Sequence, residues 1–159
     1  MRVVVADTSP LRYLVQIEQV ELLPRLFAKV FIPAVVSDEL LHHSAPEAVR
    51  NWMSSRPGWL AVSLVAAPDD PSLQALDEGE KSAIALGLYL AADLILIDDR
   101  RGAAVARGKG FEVTGTLGIL DLAAHRGMIS MVDALAPPEY EFPPAGGTVR
   151  CAVQEARAA

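Results

Sequence analysis

The sequence predicts an α/β fold, a three-layer α/β/α sandwich with a central parallel sheet. Three observations lead to it. Short apolar runs rich in β-branched residues alternate with segments of helical periodicity, the pattern of a parallel sheet covered on both faces. The run Leu94-Ile95-Leu96-Ile97 is continuously apolar between turn residues, as a strand buried on both faces requires. Acidic residues also recur beside the strands. Asp7 follows Val3-Val4-Val5-Ala6, Glu39 lies just after Phe31-Ile32-Pro33, Glu80 opens the apolar helical run before the central strand, and Asp98 ends that strand.

The elements follow in order. Residues 2–6 read as a short buried strand. Asp7-Thr8-Ser9-Pro10 reads as a helix start, with Thr8 or Ser9 as the cap and Pro10 at the first helical position. Leu11, Leu14 and Val15 give that helix an apolar stripe, and a further short helix is expected over residues 20–28. Residues 29–32 form the second strand. Pro33 starts a helix with Val36, Leu40 and Leu41 facing inward. A helix over 46–54 ends at Pro57-Gly58, and 59–65 is the third strand. Asp69-Asp70-Pro71 is a turn. Residues 78–91 form a strong helix, 101–107 a short one closed by Gly108, and 111–113 the last strand. Residues 117–126 are helical with Gly127 as C-cap. Residues 130–135 add a turn or two of helix before Pro137-Pro138. One domain is expected over residues 1–136. Residues 137–159 are a tail of the same domain, with a terminal helix over 148–157.

A chain of 159 residues can bury a proper core. Its 52% hydrophobic and 21% charged residues are those of a soluble globular protein. Its apolar runs are too short to span a membrane. Asp7 and Arg12 interrupt the first apolar run, so no secretory signal is read there. Cys151 is the sole cysteine, which forbids an intramolecular disulfide and fits a reducing cytoplasm. The net charge of −6 and pI of about 5.0 argue against a sequence-independent nucleic-acid binder, unless bound cations reverse the local sign.

The acids supply a reason for such cations. The carboxyl ends of the strands form the ligand crevice of an open α/β sheet. Carboxylates gathered there repel one another and lose hydration, which a hard cation such as Mg²⁺ or Mn²⁺ relieves. Such an ion activates water and stabilises charge on a phosphoryl group. Each acid also has a plainer reading. Asp7 serves as a helix N-cap, Glu39 as part of a solvated face, Glu80 as a first-turn acid favoured by the helix dipole, and Asp98-Asp99 as a turn. The metal reading gains from their combination.

Five segments together resemble the PIN-domain family, in its DUF3368 branch related to VapC-type toxin ribonucleases. They are Val5-Ala6-Asp7-Thr8-Ser9-Pro10-Leu11, Pro33-Ala34-Val35-Val36-Ser37-Asp38-Glu39-Leu40, Asp77-Glu78-Gly79-Glu80-Lys81-Ser82-Ala83-Ile84-Ala85-Leu86, Ile97-Asp98-Asp99-Arg100-Arg101-Gly102 and Gly115-Thr116-Leu117-Gly118-Ile119-Leu120. Each is weak alone; their order and spacing over residues 2–127 carry the resemblance. It implies a PIN-like sandwich, Mg²⁺- or Mn²⁺-dependent nuclease activity and frequent homodimers. RNA as substrate, and a toxin role with a small antitoxin protein as partner, are implied by the resemblance alone. Carried over, Asp7, Glu39, Glu80 and Asp98 are the catalytic metal acids, with Asp99 replacing or assisting Asp98. Glu80 stands where many relatives have aspartate.

Around these acids, Thr8 and Ser9 could orient water or phosphate, or cap the helix. Thr116 could bind phosphate, orient Asp98 or cap the helix after it. Arg12 is expected near the crevice. Arg100, Arg101, Arg107 and Lys109 form the densest basic cluster, a candidate phosphate contact or a solvated helix face. His42 and His43 are adjacent and would diverge on a helix, which argues against zinc. Trp52 and Trp59 read as core or dimer contacts. Two rivals remain. A haloacid-dehalogenase-type phosphatase wants a second acid two residues after the first, where Ser9 stands. A non-catalytic binding module would have no need of the intact acid set.

Overall fold

The computed structural model describes residues 2–66 and 69–135; the tail expected at 137–159 and its terminal helix lie outside them. Five strands form one parallel sheet: β1 (Val4–Ala6), β2 (Val30–Pro33), β3 (Leu60–Ser63), β4 (Leu94–Leu96) and β5 (Glu112–Thr114). Their order is β3-β2-β1-β4-β5. In register, Val5 faces Phe31 on one side and Ile95 on the other.

Alternation across the pleat divides the core in two. Val4, Ala6, Val30, Ile32, Leu94 and Leu96 face one side, while Val5, Ile95 and Ile97 face the other. The first side is covered by α1 (Thr8–Gln16), α2 (Leu22–Phe27), α3 (Ala34–Leu41), α4 (Glu47–Ser54), α7 (Thr116–His125) and α8 (Met131–Leu135). The second is covered by α5 (Glu78–Leu90), α6 (Arg100–Gly108) and a 3₁₀ turn at Pro71–Leu73. The expected three-layer sandwich is therefore present. Gly87 allows α5 to lie close on the sheet: a Cβ there would stand 2.9 Å from Ile95 Cδ1 and 3.2 Å from the Phe111 ring.

Local chemistry sets the boundaries. The cap of α1 lies one or two residues earlier than expected, at Asp7, with Thr8 already helical. Pro10 is thus the third helical residue, still within the turn whose N–H groups lack intrahelical partners. β3 is shorter than expected, ending at Ser63; it is an edge strand, and Leu64 beyond it is exposed. α3 ends at Leu41, so His42 and His43 lie past the helix and their rings stack with centroids 4.1 Å apart instead of diverging. Trp52 and Trp59 pack against the core at 6.1 Å from one another. Gly127, with φ of 69°, follows the last residues of α7 in the left-handed conformation expected of it.

This topology places the crevice. From β1 the chain builds outward through β2 and β3, and from β4 outward through β5. The switch point therefore lies between β1 and β4, where an open α/β sheet binds its ligand. Asp7 leaves the end of β1 there, its N–H bonded to the Leu96 carbonyl at 2.9 Å. Asp98 and Asp99 leave β4 beside it.

Candidate metal centre

The site is assembled around the first turn of α5. Asp77 caps that helix, accepting from the Glu80 N–H at 2.8 Å, while the Asp77 N–H points back to Glu80 Oε2 at 3.4 Å. This reciprocal pair is a capping box. Between them Gly79 lacks a side chain where space is needed. A Cβ on it would lie 3.0 Å from Asp7 Oδ1 and 2.9 and 3.1 Å from the two Glu39 oxygens. The carboxylates of Asp7 and Glu39 thus meet over Gly79, brought together by β1 and by the packing of α3 on α5. The Thr8 hydroxyl donates to Glu39 Oε2. Thr8 therefore holds an acid and does not cap α1.

Asp7 is 5% exposed and Glu80 8%. Burial, opposed by the Thr8 N–H and reinforced by Asp77, Glu80 and Glu39, pushes Asp7 up to about 7. Glu80 is also pushed up to about 7, by burial and then by Asp77 and Asp99. Asp7 Oδ1 is, among the described residues, the one buried side-chain oxygen or nitrogen without a hydrogen-bond partner. An orphan carboxylate oxygen is costly in a protein interior.

The last two expected acids separate. Asp98 gives both oxygens to Thr116, accepting from its N–H and its hydroxyl at 2.7 Å each. Gly115 leaves room for that approach. Of the roles open to Thr116, orienting Asp98 is the one its contacts serve. Asp99 caps α6 through the Gly102 N–H at 2.9 Å. It also lines, with Glu80, Ala75, Arg100 and Arg101, a hollow of about 410 Å³. The two arginines therefore stand at the rim of the acid site.

Other expected contacts fall elsewhere. Lys109 is paired with Asp70, whose carboxyl it holds down at about 2. Arg107 is exposed in the last turn of α6. Arg12 is exposed on α1 and, among the described residues, forms no ion pair or hydrogen bond. Ser9 is half-buried in the first turn of α1. The residue that sequence reasoning passed over is Asp77. Its signal was present as Asp-x-x-Glu ahead of an apolar run.

Among the described residues, no three His, Cys, Asp or Glu side chains already converge on one point as a ready ligand set. The Asp7–Glu39 pair still fits a hard cation. Mg²⁺ keeps several waters and binds through one or two carboxylates, and Asp7 Oδ1 is an oxygen donor lacking a partner.

A family model described as DUF3368, a PIN domain, matches residues 3–136. No curated protein matches the chain.

Two outcomes follow from this geometry. Gly79→Ala should change melting temperature little, because alanine's helix advantage of about 1 kcal/mol is opposed by its Cβ crowding the buried Asp7 Oδ1 at 3.0 Å. Its Cβ would nevertheless swing the flexible Glu39 carboxylate away. Mn²⁺ affinity measured by calorimetry should then fall by on the order of tenfold. The second outcome concerns pH. Both raised carboxyls ionise first in the unfolded chain, so their contribution is complete below pH of about 4 and is lost as pH rises to about 7. The melting temperature of metal-free protein should fall across that window. Asp7→Asn should flatten the fall, and Mg²⁺ should restore stability at its upper end.

Proposed function

The chain belongs to the PIN-domain family, and from that premise we propose that it is a divalent-metal-dependent ribonuclease. Nuclease-type phosphodiester hydrolysis is what the family generally performs; the cation and the RNA substrate are our reading. The observation that carries it is the buried, unpartnered Asp7 Oδ1 facing Glu39 across Gly79.

In this reading Asp7 and Glu39 hold Mg²⁺ or Mn²⁺, with Glu80 beside them and Asp99 completing the acidic rim. The bound ion activates water and stabilises charge on the phosphoryl group. Thr8 fixes the Glu39 carboxylate through its hydroxyl. Asp98 pins the start of α7 through Thr116 and so orders the crevice wall. Without a cation, the raised Asp7 and Glu80 retain protons near neutral pH. Those protons would have to leave before either carboxylate served as a ligand. Arg100 and Arg101 contact the RNA backbone from the rim of the hollow.

The phosphatase alternative lacks support at Ser9, where that chemistry wants an acid. A toxin role with an antitoxin partner and a homodimer complete the proposal and rest on the resemblance; a cytoplasmic location rests on the single cysteine. Among the described residues, no helix is long and apolar enough to cross a membrane.

The direct test is cleavage of single-stranded RNA by purified protein. Mg²⁺ or Mn²⁺ should support cleavage and EDTA should abolish it. Asp7→Asn should lower the rate by more than the roughly 100-fold that a ligand's outer partners are worth. Cleavage that persists under full chelation would refute the mechanism. A second measurement addresses the arginines. In Ca²⁺, Arg100→Ala/Arg101→Ala should weaken RNA binding and flatten its log–log salt dependence by roughly 0.7 for each lost phosphate contact. An unchanged slope would return both to a solvated helix face.

A further inference from the structure

Asp77 stands outside the acid set that the motifs single out, yet it is bonded to one of its members. Its carboxylate accepts the Glu80 N–H at 2.8 Å, and its own N–H faces Glu80 Oε2 at 3.4 Å. Glu80 is 8% exposed and lies against Gly102, with Cγ and Cδ each 3.5 Å from where a Cβ would be. The Glu80 side chain is therefore held between the start of α5 and the start of α6, on the wall of the hollow. The loop that brings Asp77 there is fastened at its other end, where Asp70 pairs with Lys109 of the residue after α6. Two contacts thus fix the segment over residues 70–77 against the two helices that frame the site.

We propose that Asp77 is a positioning residue for the metal centre: its capping box with Glu80 sets the place of the Glu80 carboxyl relative to the Asp7–Glu39 pair. The proposal rests on the metal-dependent reading above. A capping box fixes a side chain because its two hydrogen bonds are reciprocal. Loss of the Asp77 acceptor frees the Glu80 N–H and loosens the first turn of α5; the N–H of residue 77 still reaches Glu80 Oε2, but from a helix start that no longer fixes the side chain. Outer partners that orient a metal ligand are worth 10- to 100-fold in affinity or activity. Asp77 acts through its acceptor oxygen in this scheme. Its charge is secondary, which separates the proposal from a general acidic field.

The test uses the full chain and Mn²⁺ binding by calorimetry, well below the melting temperature. Asp77→Ala should weaken Mn²⁺ binding by on the order of tenfold. Asp77→Asn and Asp77→Ser keep a capping oxygen and should bind Mn²⁺ within about threefold of wild type, a tolerance small against that loss. In a Glu80→Gln background, Asp77→Ala should add no further loss, because the residue it positions has been changed. An Asp77→Ala protein with a lower melting temperature but wild-type Mn²⁺ affinity would make Asp77 a helix cap alone. Loss in Asp77→Asn equal to that in Asp77→Ala would assign the effect to charge and overturn the proposal. Wild-type protein that binds no Mn²⁺ would overturn the metal reading, and this inference with it. Mn²⁺ binding without RNA cleavage would refute the ribonuclease reading and leave the positioning result standing.

Discussion

Repulsion among carboxylates at the first turn of α5 is the constraint around which the molecule is arranged. Asp77, Glu80 and Glu39 all act on Asp7 there, and Asp77 and Asp99 act on Glu80. Like charges at this range destabilise a fold unless something offsets them. Three devices in the chain do so. The N-terminus of α5 presents the positive end of its dipole to them. Hydrogen bonds from Thr8, Glu80 N–H and Asp77 N–H take up individual oxygens. Partial protonation of Asp7 and Glu80, both raised to about 7, lessens the charge. What these leave over is Asp7 Oδ1, buried without a partner. A site that keeps such an atom gives up stability for function.

The parallel sheet makes that arrangement feasible. A strand end fixes Asp7 rigidly, since its N–H joins the ladder to Leu96. Glu39 and Glu80 sit on helices packed together on either side of the same edge. Residues held by strand ends and helix turns carry less positional freedom than residues on loops. The glycines complete the fit. Gly79 and Gly115 each stand where a Cβ would crowd a site residue: Asp7 and Glu39 at the first, Asp98 at the second. Helical glycine costs roughly 1 kcal/mol relative to alanine, and here it admits carboxylates against the backbone.

Much of this was legible in the sequence where the signal is local. Leu94-Ile95-Leu96-Ile97 gave a strand because a continuous apolar run between turns has few other readings. The exit of Asp7 from β1 followed from an apolar run ending in Asp-Thr-Ser-Pro. The meeting of Glu39 with Asp7 depends on how α3 lies on α5, which no local pattern encodes. The pairing of Asp98 with Thr116 is equally remote, so the two adjacent aspartates could not be told apart from the chain alone. Asp77 was legible through the Asp-x-x-Glu spacing of a capping box ahead of an apolar run. The Lys109–Asp70 pair spans 39 residues and is visible only in three dimensions.

That last pair bears on how an acidic protein could hold a polyanion. Of the basic cluster on and after α6, Lys109 is engaged by Asp70, and Arg107 sits at the end of the helix where its charge complements the dipole. Arg100 and Arg101 remain at the hollow, next to Glu80 and Asp99. With no cation, the carboxylates beside them oppose the two arginines, and a phosphate gains little by entering. A divalent cation held by Asp7 and Glu39 would offset that negative charge, so that the two arginines could act on the same phosphate. On the proposed reading, metal and RNA therefore bind with positive coupling. The net charge of −6 would then disfavour nucleic acid away from a loaded metal centre.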